Sequence, residues 1–212
     1  SDDLLTLRSF KNEAYKTDSH QVLYWKNVSS KKSKLKVFDP SKNAGVPADT
    51  KILSSLAVSN DGSRVYLSSL HWEAVESKGK KKGSKKSEEA PQVEVWNSSD
   101  RTIIPAQKMG RDDSYHSVKS AVWMVASNKY ITLHDDVIDG VNVQRENTVV
   151  IGIDTTPYEF EAMFGRPNID IYTIDLLTNK RTKIVTKAHS VLGMSPNNQY
   201  IVYLSENNLH LY

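Results

Sequence analysis

The chain has 212 residues, of which 38% are hydrophobic and 25% charged, a composition typical of a globular protein. No stretch approaches the roughly 18 consecutive apolar residues that a membrane-spanning helix needs, so we expect no membrane insertion. The sequence has no cysteine, which excludes disulfides, cysteine-ligated metal sites and thiol nucleophiles.

The formal net charge of +3 originates in one short segment. Residues 78–89 contain six lysines and two glutamates, separated only by glycine and serine. Such a segment cannot bury surface, so we predict a solvated insertion at 75–91. A patch for nucleic acid or anionic lipid is the alternative, but the segment lacks the arginines and stacking aromatics of nucleic-acid binders. We therefore expect no nucleic-acid partner.

Patterns typical of β-strands dominate the chain from its first third onward. Runs of β-branched and aromatic residues alternate with polar residues at a period near two, and helical periodicity is weak. Besides the repeated segments described next, we predict strands at 21–25, 34–38, 50–53, 92–96, 101–104, 148–153, 169–175, 181–185 and 208–212.

One strand–turn–strand segment occurs twice, at residues 56–68 and 192–205. In each copy a short apolar strand leads to a serine, Ser59 or Ser195, then to a turn and a tyrosine-containing strand. The Asp-Gly dipeptide of the first copy is a strong hairpin signal because it tolerates positive φ. A weaker third copy lies at 122–133. Repetition at this spacing indicates repeated supersecondary units.

These units predict an all-β fold, a partial β-propeller of about three to four four-stranded antiparallel blades. A β-sandwich is the competing fold, but it does not require the same segment in the same order. Closed propellers typically have 4–8 blades, so we expect an open fragment of a longer protein or closure by another chain. Within the single segment 1–212, we predict a partial blade at 21–54, a blade at 55–107 carrying the insertion 75–91, a blade at 118–187 with insertions at 135–147 and 155–168, and the start of the next blade at 190–212.

Several segments resemble known propeller repeats. Residues 59–62 and 195–198 resemble the Ser-Pro-Asp-Gly turn of TolB-like, WD40-like repeats and of prolyl oligopeptidase family peptidases. Residues 169–179 are similar to the Asp-Ile-Tyr strand of those repeats, with asparagine in place of the closing glycine. Residues 93–107 and 154–158 resemble the N-terminal propeller region of large exported serine peptidases of this family from Bacteroidetes-like bacteria.

The resemblance implies a function for a protein longer than this chain. It implies an α/β-hydrolase domain C-terminal to the chain, with a Ser–Asp–His triad, and a propeller that limits entry to small or unstructured peptides. The partners would then be that domain and a peptide substrate or protein, in the periplasm or outside the cell. The alternative is a propeller protein without an enzyme, acting as a protein- or glycan-binding scaffold in the cell envelope.

The chain itself shows no catalytic, cofactor or metal site. The nearest match to the Gly-x-Ser-x-Gly nucleophile motif centres on Ser195, but proline follows the serine, asparagine replaces the last glycine and a strand follows. We therefore predict Ser195 to be a turn residue. The acidic segment 134–139 lacks the ligand spacing of a calcium loop. The histidines are dispersed, and we predict structural or surface roles for them: His20, His71, His116, His134, His189 and His210.

The aromatic residues divide into two groups. Those in predicted strands should fill the space between blades: Trp25, Tyr66, Trp96, Trp123, Tyr172 and Tyr203. Tyr158, Phe160 and Phe164 instead fall in the insertion 155–168. They either pack back onto the propeller or form a surface that faces a partner or substrate.

Overall fold

The computed structural model describes residues 2–73, 118–162 and 164–212, and the regular structure there is almost entirely β. In these residues helical structure is limited to the 3₁₀ turns Pro40–Lys42 and Thr156–Tyr158 and to a short helix, α1 (Glu159–Ala162). The strands, in chain order, are β1 (Leu4–Phe10), β2 (Ser19–Trp25), β3 (Leu35–Phe38), β4 (Thr50–Val58), β5 (Arg64–His71), β6 (Lys119–Met124), β7 (Lys129–Thr132), β8 (Gly140–Asn142), β9 (Val149–Asp154), β10 (Ile169–Asp175), β11 (Arg181–Ala188), β12 (Ser190–Met194), β13 (Ile201–Ser205) and β14 (Asn208–Leu211).

Within the described residues these strands form four antiparallel sheets. Sheet 1 contains β1–β2–β3, sheet 2 contains β4–β5–β6–β7, sheet 3 contains β8–β9–β10–β11, and sheet 4 contains β12–β13–β14. In every sheet consecutive strands are hydrogen-bonded neighbours, so each sheet is a simple meander. The chain completes one sheet before it enters the next.

The sheets pack face to face in chain order because alternate side chains of a strand point to opposite faces. Val65 contributes to the core between sheets 1 and 2, and its neighbour Tyr66 to the core between sheets 2 and 3. In sheet 3, Val150 faces sheet 2 and Ile151 faces sheet 4. Each internal sheet thus buries both of its faces.

The largest of the three cores lies between sheets 1 and 2. Phe38 contacts Trp123 and Tyr130, with ring centroids 5.5 and 5.9 Å apart. Trp123 is only 1% exposed. Burial of a side chain of this kind stabilises the fold by about 1.5–3 kcal/mol. Four meandering sheets stacked in series form a partial β-propeller, and the predicted fold class is confirmed.

The sheet topology differs from the predicted grouping of strands at the third repeat. We predicted that residues 122–133 open a new blade at 118, but β6 and β7 complete the sheet that β4 begins. β6 pairs with β5 along its whole length, from Arg64 opposite Met124 to Ser69 opposite Lys119. Residues 122–133 resemble the repeated segment because the β6–β7 hairpin has the same order of features. An apolar strand is followed by a polar turn and then by a strand that contains a tyrosine.

The structure differs from the sequence prediction at three further places, where the strand pattern in the sequence is weak. The strand at Thr50, predicted to end the first blade, is the first strand of sheet 2. Sheet 3 begins at Gly140–Asn142, which we had predicted to lie in an insertion at 135–147. β1 was not predicted. The strands predicted at 92–96 and 101–104, the insertion 75–91 and His116 lie outside the described residues.

Candidate functional site

The long connections of the fold lie at one end of the strands. In an antiparallel meander, successive connections alternate between the two ends. In each four-stranded sheet, the loop between the second and third strands therefore lies at one end of the sheet. The segment that leaves the fourth strand for the next sheet lies at the same end. We call this end the insertion face. It carries residues 11–18, 39–49, 133–139 and 155–168, and β5 ends and β6 begins there.

A first cleft on the insertion face is built around Trp72. Its indole ring stacks on Tyr15, with centroids 4.1 Å apart and planes at 12°, and its Nε1 donates a hydrogen bond to the carbonyl oxygen of Thr17 at 2.7 Å. The Tyr15 hydroxyl donates to the carbonyl oxygen of Ala48 at 3.1 Å. These contacts join residues 11–18 to residues 39–49 and leave a cavity of about 410 Å³. Its lining combines aromatic side chains, Tyr15 and Trp72, with the side-chain amides of Asn12 and Asn43.

A second cleft, of about 250 Å³, continues from the first, because Pro47 and Thr50 line both. Its polar lining includes Asp49, Lys119 and two histidines, His71 and His134. The Nδ1 atom of His71 lies 3.0 Å from a carboxylate oxygen of Asp49. Sequence reasoning missed the proximity of these two histidines, because His71 ends β5 and His134 follows β7, far apart in the chain.

The hydrogen bonds of His134 define its protonation. The backbone N–H of Ser120 donates to His134 Nδ1 at 2.9 Å, so Nδ1 is an acceptor and the neutral ring carries its proton on Nε2. Burial lowers the pKa of His134 below its usual value. A neutral imidazole is therefore the form present at neutral pH, as a hydrogen-bonding group rather than a cation.

The insertion 155–168 is fixed to sheet 3 by the carboxylate of Asp170. Asp170 is 2% exposed and accepts hydrogen bonds from the Tyr158 hydroxyl at 2.6 Å, Lys183 Nζ at 2.6 Å and the backbone N–H of Lys187 at 3.0 Å. Although burial raises its pKa, the donors Lys183, Tyr158 and Lys187 together lower it below its usual value. Burial and the contact with Asp170 raise the pKa of Tyr158 to about 12. The charged carboxylate of Asp170 thus holds Tyr158, at the start of the insertion 155–168, against sheet 3.

A second carboxylate, Asp154, lies directly opposite Asp170 in the pairing of β9 with β10. Cross-strand partners share a face, with Cβ atoms roughly 5 Å apart. Asp154 is 4% exposed and accepts a hydrogen bond from the backbone N–H of Thr156 at 3.0 Å. Burial raises its pKa. The two facing carboxylates therefore have pKa values displaced in opposite directions.

Beyond this anchor the insertion exposes two aromatic side chains. Phe160 and Phe164 are 55% and 67% exposed, and their rings meet edge to face with centroids 5.3 Å apart. Of the three aromatic residues in the insertion, Tyr158 packs back onto the sheet while the two phenylalanines do not. This pair is an apolar surface on the insertion face.

The acidic residues after His134 are used to shape the backbone. Asp135 Oδ1 accepts from the backbone N–H groups of Val137 and Ile138, at 2.9 and 2.7 Å. Asp139 accepts from the backbone N–H of Thr155 at 2.9 Å. In residues 2–73, 118–162 and 164–212, no three His, Asp or Glu side chains are grouped so as to hold a metal ion.

Ser195 is a turn residue. Its Oγ donates to Asn197 Oδ1 at 2.7 Å and accepts from the backbone N–H of Tyr200 at 2.9 Å. The equivalent Ser59 Oγ donates to Asp61 Oδ1 at 2.6 Å and accepts from the backbone N–H of Arg64 at 3.0 Å. Both serines lie between the first two strands of a sheet, in sheets 2 and 4. Neither hydroxyl is paired with a histidine.

The other described histidines have local contacts. His20 Nδ1 lies 2.7 Å from the carbonyl oxygen of Ile52, and His189 Nδ1 lies 3.1 Å from that of Pro167. His210 stacks on Tyr203, with centroids 5.2 Å apart. None of these three lines either cleft of the insertion face.

Comparison with protein-family models gives no match, and no curated protein matches the chain. Among solved structures, the crystal structure of TolB from Acinetobacter baumannii is similar, with a TM-score of 0.32 and 10% sequence identity. The match covers 90% of this chain and 37% of that chain, so the chain spans little more than a third of TolB's length. At this level of similarity no residue role transfers. No helix of the described residues is both long and apolar enough to cross a membrane.

Proposed function

We propose that this chain is a non-catalytic β-propeller segment of an exported prolyl oligopeptidase-type serine peptidase, with the peptidase in the periplasm or outside the cell. The segment supports an α/β-hydrolase domain outside this chain and gates the access of peptides to it. The sequence resemblance supports the peptidase assignment, and the serial packing of the sheets supports the propeller role.

The observation that carries the proposal is the apolar outer face of sheet 4. Val202 occupies the position in β13 that Tyr66 occupies in β5, seven residues after the turn serine. Tyr66 is 8% exposed against sheet 3, whereas Val202 is 37% exposed. Its cross-strand partner Leu211 is 65% exposed, and Leu209 is 69% exposed. Val202, Leu209 and Leu211 thus form an apolar face on sheet 4. In sheet 2 the corresponding face is buried against sheet 3.

Sheet 1 shows the same feature at the other end of the series. Leu4, Leu35 and Val37 are 48%, 44% and 43% exposed. Trp25 lies opposite both Leu4 and Leu35, so it shares their face. Exposed apolar surfaces of this kind mark interfaces. Further sheets on these two faces would complete the propeller.

The gating role is supported by the insertion face. Its two joined clefts offer aromatic rings, backbone amides and a neutral histidine, groups that suit an extended peptide more than a folded protein. The hydroxyls of Ser59 and Ser195 serve turns, so neither is a nucleophile of the hydrolase type. Catalysis is assigned to the domain outside the chain.

The test is serine-directed labelling of the longer protein. We expect a fluorophosphonate probe to label it at a serine outside residues 1–212, and the protein to hydrolyse short peptides. The chain 1–212 alone should neither label nor hydrolyse. A Ser195→Ala variant of the longer protein is the matched control and should label normally. Labelling at Ser195, or none in the longer protein, would contradict the proposal.

A second function is favoured by one observation, the exposed pair Phe160 and Phe164. A stand-alone propeller that binds a protein or glycan in the cell envelope would use such an aromatic surface. In that case the longer protein would not label, and a Phe160→Ser/Phe164→Ser variant would lose its partner.

A further inference from the structure

We propose that the cleft between sheet 2 and residues 143–145, which follow β8 of sheet 3, binds a small oxyanion, a carboxylate or phosphate group. The cleft has a volume of about 190 Å³ and is distinct from the clefts of the insertion face. Its polar lining consists of Ser55, Tyr66, Ser68, Ser120 and Arg145. We call it the inner cleft.

The hydroxyls of its serines donate to no other group of the described residues. Ser68 and Ser120 lie directly opposite each other in the pairing of β5 with β6. Ser68 is also two residues after Tyr66, so all three share one face of the sheet. Among the described residues, no side chain or carbonyl accepts a hydrogen bond from the hydroxyls of Ser55, Ser68 or Ser120. An anion entering the cleft would supply the acceptor.

Arg145 adds a cation to the opposite wall. Its side chain is exposed and forms no ion pair with the described residues, although its carbonyl oxygen accepts a hydrogen bond from Arg64 Nη2 at 3.5 Å. Glu146, the next residue, accepts a hydrogen bond from Asn60 Nδ2 at 2.8 Å. The guanidinium of Arg145 therefore has no carboxylate partner among the described residues, and a guanidinium can bind both oxygens of a carboxylate or phosphate group.

On the β5 side of the cleft two buried polar groups have donors without an acceptor. Arg64 is 4% exposed, and its Nε atom has no hydrogen-bond acceptor. The carboxylate of Asp61 lies 3.8 Å from Arg64 Nη2 but already accepts the hydroxyls of Ser59 and Ser63. Buried donors are almost always paired, so an unpaired one indicates a missing acceptor.

The hydroxyl of Tyr66 is the second such group. Tyr66 is 8% exposed and lines the cleft; its hydroxyl oxygen interacts with the Arg64 side chain, but its O–H has no acceptor among the described residues. Burial raises the pKa of Tyr66, so the hydroxyl stays protonated and can donate. Leaving it unpaired costs about 1–3 kcal/mol. Buried donors of β5, on one side of the cleft, therefore lack an acceptor.

The inference is independent of the peptidase assignment. An oxyanion in the inner cleft would contact sheet 2 and the connection after β8 at once, and so would join two neighbouring blades. The same chemistry is presented by a free phosphate, by a small carboxylate and by the C-terminus of a peptide. The experiment separates these sources.

The test is a titration of the chain with inorganic phosphate, acetate, and the dipeptide Ala-Ala as free acid and as amide, at constant ionic strength. Binding is followed by NMR shifts or calorimetry. The chief variant is Arg145→Gln, which is on the surface and should fold normally. Arg166→Gln, an exposed arginine of the insertion 155–168, is the matched control. A Ser68→Ala/Ser120→Ala variant tests the opposite wall.

We expect at least one oxyanion to bind, and Arg145→Gln to weaken it roughly tenfold to a hundredfold. Arg166→Gln should leave the affinity unchanged. Binding of the dipeptide acid but not its amide assigns the site to peptide C-termini, and binding of phosphate alone assigns it to phosphate groups. No binding of any probe, or equal affinity of Arg145→Gln and the unmodified chain, would overturn the inference.

Discussion

The hydroxyl of Tyr24 lies 3.2 Å from the carbonyl oxygen of Gly62, which joins the second strand of sheet 1 to the first turn of sheet 2. The same hydroxyl lies 3.0 Å from a carboxylate oxygen of Asp3. Gly62 has φ +66°, a conformation that favours glycine. A Cβ atom at this position would overlap the Tyr24 hydroxyl. One glycine thus serves both a turn and a contact between sheets.

We predict that Gly62→Ala lowers the free energy of unfolding by about 2–4 kcal/mol. The left-handed backbone accounts for about 1–2 kcal/mol and displacement of the Tyr24 hydroxyl for the rest. Urea unfolding measures the change. Gly165→Ala isolates the backbone cost, because Gly165 has φ +75° but open space around it. Gly193→Ala, with neither constraint, should be neutral. Equal stability of the three variants would refute this account.

Two tyrosines should respond differently to the loss of a hydroxyl. Tyr24→Phe removes a hydroxyl that is hydrogen-bonded and should cost about 1–3 kcal/mol. Tyr66→Phe removes one whose O–H has no acceptor and whose contact with Arg64 is poorly aligned, so without a bound anion it should be close to neutral. Thermal unfolding in an anion-poor buffer compares the two. A larger loss for Tyr66→Phe would mean that its hydroxyl is paired in solution.

Asp170 should make the protein sensitive to acid. Its pKa is lower in the folded chain than when unfolded, so it stabilises the fold above its unfolded pKa, and this contribution is lost as the pH falls through the folded value. Asp170→Asn should therefore destabilise the chain at pH 7, by about 1–3 kcal/mol, and flatten the decline toward pH 3. Unfolding midpoints across this range provide the measurement. An unchanged acid slope in the variant would exclude the anchor role.

Asp154 should act with the opposite sign. Burial raises its pKa, so the charged form is disfavoured in the folded state, and its cost to stability at pH 7 disappears as the pH falls through the folded value. We predict that Asp154→Asn is neutral to stabilising at pH 7 and matches the unmodified chain at pH 3. The hydrogen bond from Thr156 survives, because the asparagine side-chain oxygen also accepts. A strong loss at pH 7 would contradict this sign.

The repeated hairpins could be predicted from sequence because their signals are local. Ser59, the Asp-Gly turn and the strand that follows define a hairpin over a few residues, and the copy at Ser195 shows the same hydrogen bonds. The pairing of β5 with β6 could not be predicted in this way. The strands are separated by residues 72–118, and strand periodicity does not identify a distant partner.

The hydrogen bonds of Asp170 with Tyr158 and Lys183 could be predicted from the sequence only in part. Residues 154–158 were singled out by resemblance, and Tyr158 as a loop aromatic. The burial of Asp170 was missed, although an aspartate between two isoleucines in a strand is a usable signal. What brings Tyr158, Lys183 and Asp170 together is the register of β9, β10 and β11, which depends on long-range pairing. The inner cleft depends on such pairing as well, since its walls come from sheet 2 and from the residues that follow β8.

The most direct test of the propeller assignment uses the absence of cysteine from the chain. Single cysteines are introduced at Val202, on the outer face of sheet 4, at buried Val122 and at Leu177, which is 64% exposed. Their maleimide labelling rates are compared in the chain 1–212 and in the longer protein. We predict that Cys at Leu177 labels fast in both and Cys at Val122 slowly in both. Cys at Val202 should label fast in the chain alone and slowly in the longer protein, where a further sheet covers it; equal rates at Val202 in the two proteins would contradict the account.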